Sequence, residues 1–288
     1  TTEPVHSSGG GFIQPEYKNL DIEKAIQYLN SKQTNGNFNS ILYTDWAAIA
    51  FGAYNKNDAT AEMIKNYLQT NPDTTAGFNN ISDYARRVMA LSALDINPYD
   101  VNGVNYIKKI TDSFDGIQLG DPSIYNDDIF ALVALAKNGY TANDDLIQKT
   151  VNFVLSKQTN NGWGSIDLTA AAIQALKNYS EILGVNEAIQ QAATYLKSLQ
   201  KDDGSFDNNV YSTAWAIQAG NTIGESATNW IKKAQNYLAE KQSINGAIID
   251  DIWATTQAIP PALNKSWADI MATFDRPASI SNNVVNAG

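Results

Sequence analysis

The chain has 288 residues, with 20 Lys and Arg against 30 Asp and Glu, a formal net charge of −10, no cysteine and a single histidine. That composition excludes a disulfide framework or a thiolate site, and it offers no basic patch for a phosphate backbone. No run of about 18 apolar residues is present to cross a membrane.

The chain opens with TTEPVHSSGGGF, which reads as a flexible lead-in and contains the only histidine, His6. From residue 20 a phrase begins that recurs six times. Its first copy, KAIQYLNSKQTNGNF (24–38), is an amphipathic stretch with Ile26 and Leu29 at helical spacing, ending in a polar loop around Gly36. An almost wholly apolar segment, WAAIAFGAY (46–54), follows. The second copy runs through 64–78 with Gly77 and leads to YARRVMALSAL (84–94); the third runs through 104–117 with Gly116 and leads to IFALVALA (129–136). The fourth, TVNFVLSKQTNNGWG (150–164) with Gly162, precedes TAAAIQAL (169–176), and the fifth, AATYLKSLQKDDGSF (192–206) with Gly204, precedes TAWAIQAG (213–220). The sixth runs through 234–247 with Gly246 and ends at IWATTQAI (252–259).

The glycines recur at roughly 40–46 residues, the period of helical-hairpin arrays. Each glycine is expected to supply the left-handed geometry that stops a helix. Helices apolar nearly all round are buried ones, so each repeat predicts an outer, half-solvated helix followed by an inner, buried one. An open array would need polar capping repeats. The first and last inner segments, with Trp46 and Trp253, are as apolar as the middle ones, which predicts closure. The expected fold is therefore all-α, a closed (α/α)6 toroid of residues 20–272, with a lead-in over 1–19 and a polar tail or linker over 273–288. KSWAD (265–269) is expected to close the ring and lead out toward a further domain, and both ends read as cuts in a longer protein.

The loop phrase K-Q-x-x-x-G-x-[FW], kept in register by Gln33, Gly36 and Phe38, by Gln158, Gly162 and Trp163, and by Gln200, Gly204 and Phe206, resembles the repeat of squalene/hopene cyclases and protein prenyltransferase β subunits. The same toroid occurs in cobalamin carriers and in complement-like thioester domains. The resemblance covers about residues 20–270 and implies the fold, while the superfamily performs unrelated tasks on it. The prenyltransferase zinc site needs Asp, Cys and His, and the thioester needs Cys; neither can be assembled from this chain. No imidazole is available in the barrel for a nucleophile–base pair.

Carboxylates remain. Asp45, Asp83, Asp127, Asp128, Asp167, Asp250 and Asp251 stand at or near the starts of inner helices, with Tyr211, Ser212 and Thr213 in the fifth repeat. Aligned on the helix ends, these acids are expected at one level, ringing one mouth of the barrel. A single Asp there also serves as an N-cap, but a cap needs one carboxylate and two of these sites carry pairs. Arg86 and Arg87, one turn into a buried helix, require carboxylates, ligand or water as partners. Trp46, Phe51, Tyr84, Phe130, Trp215 and Trp253 fall on inner helices, where core packing and a cation cage are both open readings.

The cyclase resemblance implies an acid motif D-x-D-D followed by T-A. Asp250 and Asp251 match its last two acids, with Ile248 where the first is required; Asp167, Thr169 and Ala170 match the central acid and the T-A without flanking acids. The favoured reading is a non-catalytic ligand-binding or scaffold domain of a secreted or surface bacterial protein, similar to the toroid half of cobalamin carriers. It has no cofactor, takes a small molecule at the acidic mouth through Asp45, Asp83, Arg86, Asp127, Asp128, Asp167, Tyr211, Asp250, Asp251 and Trp253, and has a C-terminal partner domain. The alternatives are a terpene-cyclase-like enzyme with Asp250 or Asp167 as proton donor, and a cation held by Asp127, Asp128, Asp250 and Asp251. The bulky inner-face residues predict a filled core with an open bowl at the mouth.

Overall fold

The structure, a computed structural model, describes residues 16–72 and 77–278. The lead-in through residue 15, with His6, and the tail beyond residue 278 lie outside the described residues. Among the described residues there are thirteen α-helices and no strand. They run as outer–inner pairs: α1 (Ile22–Asn30) and α2 (Ile41–Tyr54), α3 (Ala59–Thr70) and α4 (Ile81–Ala93), α5 (Tyr106–Thr111) and α6 (Asn126–Ala136). The second half continues with α7 (Asp145–Ser156) and α8 (Ile166–Leu176), α9 (Val185–Ser198) and α10 (Val210–Thr222), α11 (Asn229–Glu240) and α12 (Ile252–Ala262), then a short α13 (Trp267–Ile270). Each even-numbered helix up to α12 packs on the next, and α12 returns to α2, so the inner ring is closed as the repeat implies. No helix among the described residues is long and apolar enough to cross a membrane.

The two rings differ in sequence because they differ in solvent contact. Outer α7 buries Ile147, Thr150, Val151 and Val154, a single stripe at helical spacing. Inner α2 buries Thr44 through Phe51 without a gap. Small residues set how closely the inner helices approach: a Cβ on Gly52 of α2 would lie 2.6 Å from the Ala93 carbonyl oxygen on α4.

The loops that end the outer helices lock successive repeats together. Gln158 donates from Nε2 to Ala188 O at 3.0 Å, and Gln200 to Trp230 O at 2.7 Å, each carbonyl lying in the first turn of the next outer helix. Gln242 does the same across the closure, donating to Asp21 O at 2.8 Å and accepting from Asp21 N at 2.8 Å. Beside each glutamine the loop glycine presses against the same helix. An added Cβ would fall 2.2 Å from Met63 O at Gly36, 2.2 Å from Lys233 O at Gly204 and 2.1 Å from Lys24 O at Gly246. Phe38, Trp163 and Phe206 after these loops are fully buried; in the third and sixth repeats Leu119 and Ile248 take that place, also fully buried.

The segment after α12 corrects one expectation. KSWAD does not close the ring, which α12 and Gln242 already close; it seals the base. Lys265 Nζ donates to Ala53 O at 2.6 Å, and Trp267 enters the barrel axis with its ring centroid 6.1 Å from Trp46, 5.5 Å from Phe130 and 5.2 Å from Trp215. The chain then crosses the ends of α4 and α6, with Ala272 N on Ser92 O at 2.9 Å and Phe274 N on Lys137 O at 2.8 Å. Arg276 pairs with Asp144 at 2.8 Å and covers the Tyr140 ring, so this part of the expected tail packs on the domain.

The loop contacts set the outcome of two substitutions. Gly204→Ala meets both a positive φ of 88° and the Lys233 carbonyl, and should lower unfolding free energy by about 3 kcal/mol or more. Gly103→Ala shares a positive φ of 84° in open space and should cost about 1 kcal/mol. Urea unfolding of the two variants measures the difference.

Candidate functional site at the barrel mouth

One repeated hydrogen bond fixes the register of the inner helices. Ser40, Ser165, Asn209 and Asp251 cap α2, α8, α10 and α12 with their side chains. Four residues on, Thr44, Thr169, Thr213 and Thr255 each donate a hydroxyl back to the cap carbonyl. The same oxygens accept from the backbone N–H of the buried plug residues Phe38, Trp163, Phe206 and Ile248 at 2.9–3.1 Å. Each hydroxyl thus satisfies a donor that burial would otherwise leave unpaired. On α6 this position is held by Asp128, whose Oδ1 accepts from Leu119 N at 2.7 Å.

Read from that position, two layers face the axis. The lower layer comprises Trp46, Arg86, Phe130, Ala171, Trp215 and Gln257 on successive inner helices. Trp46 meets Trp215 at 6.2 Å and Phe130 meets Trp215 at 5.8 Å across the ring, and Trp215 Nε1 donates to Gln257 Oε1 on the neighbouring helix at 2.7 Å. One turn above lie Leu42, Ser82, Asn126, Asp167, Tyr211 and Trp253, all half-buried. They form the mouth. Trp267 packs against the aromatic layer from below.

The acids expected at one level differ in register, from Asp250 five residues before the shared Thr position of its repeat to Asp45 one residue after it, and each has a different task. Asp45, fully buried, accepts from Arg87 Nε at 2.7 Å and from Arg86 Nε at 3.2 Å. Asp83 holds Arg86 Nη1 at 2.8 Å, completing a neutral group of two carboxylates and two guanidiniums. Burial opposes the charge on Arg87, but Asp45 outweighs it and holds the guanidinium above its ordinary value. Its guanidinium carbon lies 5.1 Å from the Phe78 ring centroid.

Asp127 ties two segments together, accepting from Ser82 N at 2.9 Å and Asp121 N at 3.3 Å. Asp128 leaves Oδ2 buried without a partner, and burial, aided by Asp127, raises its carboxyl to about 7. Asp251 is a cap, accepting from Ala254 N at 2.6 Å and from the Tyr211 hydroxyl at 3.0 Å. Asp250 is exposed on the loop, within 3.2 Å of Asn245 Nδ2. The four acids considered as cation ligands therefore divide between α6 and α12 on opposite sides of the ring, and no group of three potential metal ligands occurs among the described residues.

Asp167 alone among the acids belongs to the axis-facing mouth layer. Burial raises its carboxyl, a hydrogen bond from Ser212 opposes the shift, and Oδ1 is buried without a partner. Beside it Tyr211 stacks on Trp253 at 4.7 Å, and the Trp253 indole nitrogen is also buried and unpartnered. Leu42, Ser82 and Asn126 complete the rim, with Asn126 Nδ2 donating to Ser82 Oγ at 3.0 Å. These three were not singled out in the sequence; the signal for them was their place four residues before Trp46, Arg86 and Phe130.

No family model matches the chain. A squalene–hopene cyclase of Zymomonas mobilis is 26% identical over an alignment of 179 residues that covers 53% of this chain and 27% of that enzyme. The chain thus matches about a quarter of its relative's length. Among solved structures, an apo point variant of the type II terpene cyclase MstE from Scytonema superposes with a TM-score of 0.65 at 11% identity, covering 84% of this chain and 95% of that one. A variant of the same enzyme in complex with geranylgeranyl dihydroxybenzoate gives 0.62 at 12% identity, covering 87% and 97%. Haptocorrin in complex with Cbi gives 0.61 at 16% identity, covering 90% of this chain and 70% of that one.

Two substitutions test the electrostatics. Asp45→Asn leaves two buried guanidiniums short of a counter-charge and should cost about 3–5 kcal/mol in urea unfolding. Asp128 has a raised carboxyl in the fold, so its contribution to stability is full below about pH 4 and is lost as pH rises through about 7. Asp128→Thr restores the hydroxyl of the other repeats. Its stability relative to the parent should therefore increase between pH 4 and 8, by roughly 2–4 kcal/mol; a pH-independent difference would refute the assignment.

Repeat, closed inner ring and superpositions agree on one result: the chain has a closed all-α toroid, the fold it shares with the type II terpene cyclase and haptocorrin structures.

Proposed function

We propose that this domain is a non-catalytic ligand-binding toroid that receives a small molecule, or the face of a partner domain, at its mouth. The observation that carries this reading is the filled axis. Trp46, Phe130, Trp215 and Trp267 pack against one another below the mouth, which argues against a deep chamber there for a polyprenyl chain to fold in. The rim offers an apolar and aromatic arc in Leu42, Tyr211 and Trp253, and a polar arc in Ser82, Asn126 and Asp167. That surface suits a ligand with one flat apolar face and a neutral polar edge. The likeness to haptocorrin, a structure determined with Cbi, supports a carrier and makes a corrinoid one probe to try. The acidic charge and the Asn-, Ser- and Thr-rich loops support a secreted or surface setting.

A second reading is an acid-initiated cyclase, and Asp167 is the observation in its favour. Its carboxyl is raised by burial, bears an unpartnered oxygen, and stands one turn above the aromatic layer. The relative of Zymomonas mobilis adds to it. Asp250, in solvent on the loop, lacks the burial that a proton donor to an alkene requires.

Fluorescence titration separates the two. Cobinamide and a panel of planar amphipathic molecules should include a ligand that binds saturably and is recovered unchanged. Trp253→Ala or Asp167→Asn should weaken it at least tenfold while moving the thermal midpoint by less than about 3 °C. Cyclised product from squalene or a geranylgeranyl substrate, abolished by Asp167→Asn, would replace the carrier reading with the enzyme.

A further inference from the structure

Beneath the aromatic layer the barrel axis is not uniformly apolar. Five residues past the position of Thr44 and its counterparts, α2, α4 and α6 present Ile49, Met89 and Val133, each at most 2% exposed. At the same level α8 and α10 present Gln174 and Gln218, and α12 contributes Gln257 one turn higher. These amides are as buried as the aliphatic half, at 2%, 1% and 3% exposure.

Their hydrogen bonding is incomplete in a particular way. Gln174 Oε1 accepts from Trp267 N at 3.1 Å, and Gln257 Oε1 accepts from Trp215 Nε1 at 2.7 Å. Both partners are N–H donors, so the orientation of each amide is fixed and each Nε2 is turned away from its partner. Both of those nitrogens are buried without a partner, as are both polar atoms of the Gln218 amide. One turn below Gln218 on α10, Asn221 also has both amide atoms buried and unpartnered. A buried amide left unpaired costs about 1–3 kcal/mol per group, and four such side chains on one side of a single axis would outweigh much of a domain's net stability.

We infer that the α8–α10–α12 side of the axis is a built hydration site, holding a small cluster of ordered water molecules between Gln174, Gln218, Gln257 and Asn221, against the Trp215–Trp267 pair. Water is the ligand whose chemistry fits. Two fixed N–H donors require oxygen acceptors, Gln218 and Asn221 offer both donors and acceptors, and a buried water makes about three such bonds. An ion of either sign would find no opposite formal charge on these four side chains. The seat of Trp267 is then two-sided, dry against Trp46 and Phe130 and wet against the amides.

The test uses the whole chain. Oxygen-17 magnetic relaxation dispersion should detect long-lived internal waters in the parent and at least two fewer in Gln218→Leu, with the thermal midpoint of the variant several degrees lower. Equal counts in both proteins would overturn the inference. So would a higher midpoint for Gln218→Leu, the result expected if the amide were simply unpaired in an apolar core. A high-resolution crystal structure of the parent needs no variant to fold. Water density within hydrogen-bonding distance of Gln174 Nε2 and Gln218 supports the site; amides paired directly with one another, or a non-water solute between them, refute it.

Discussion

A ring of six helices encloses a hole, and how that hole is filled governs everything else in this domain. Helices approach most closely where small residues line their seams, and Ala recurs in every inner helix. Closing the ring then leaves an axis too wide for such residues to fill. Trp46, Phe130 and Trp215 project into it from three of the six helices, and Trp267 is brought in from outside the repeat to complete the packing. Each buried indole or phenyl ring contributes about 1.5–3 kcal/mol relative to solvent. The filled axis, in turn, limits what the mouth can hold.

The second constraint is pairing. Each repeat turns from outer to inner helix through a buried plug residue whose backbone N–H is cut off from water. Threonine answers this in four repeats with a hydroxyl that bonds the plug and its own helix at once. Asp128 answers it with a carboxylate, at the cost of a second oxygen left alone in the interior. The same requirement explains Arg86 and Arg87. Two guanidiniums enter the wall of the barrel only because Asp45 reaches both and Asp83 meets one from the neighbouring turn. The mouth inherits its polarity largely from these structural solutions, and Asp167 stands apart as a buried acid that neither caps a helix nor meets a cation, held on one side by Ser212.

The architecture was legible because it rests on local, repeated signals. Periodic glycines, amphipathic outer stretches and apolar inner stretches each report on backbone geometry or burial that recurs six times, so the pattern survives weak copies such as the third. The candidate site was legible only in part. Asp167, Tyr211 and Trp253 hold the same register position on α8, α10 and α12, and Tyr211 stacks on Trp253. Asp250, adjacent in sequence to Asp251, lies instead on the exposed loop, because a positive φ of 54° turns the chain before the helix begins. Alignment on helix ends could not resolve this, since caps and loop lengths differ between repeats by one or two residues and a single residue rotates a side chain by about 100°.

What the sequence by itself determined was the periodic part: the number of hairpins, which helix of each is inside, and the elimination of every chemistry that needs cysteine or an imidazole in the barrel. Tertiary structure decided where charges and rings meet. Only in the folded chain does Asp45 reach arginines more than forty residues away, does Trp267 become the plug of a ring it does not belong to, and do Gln174, Gln218 and Gln257 share one side of the axis. Repeats specify distances along the chain, whereas pairing and filling depend on distances across it, which are fixed only once the ring has closed.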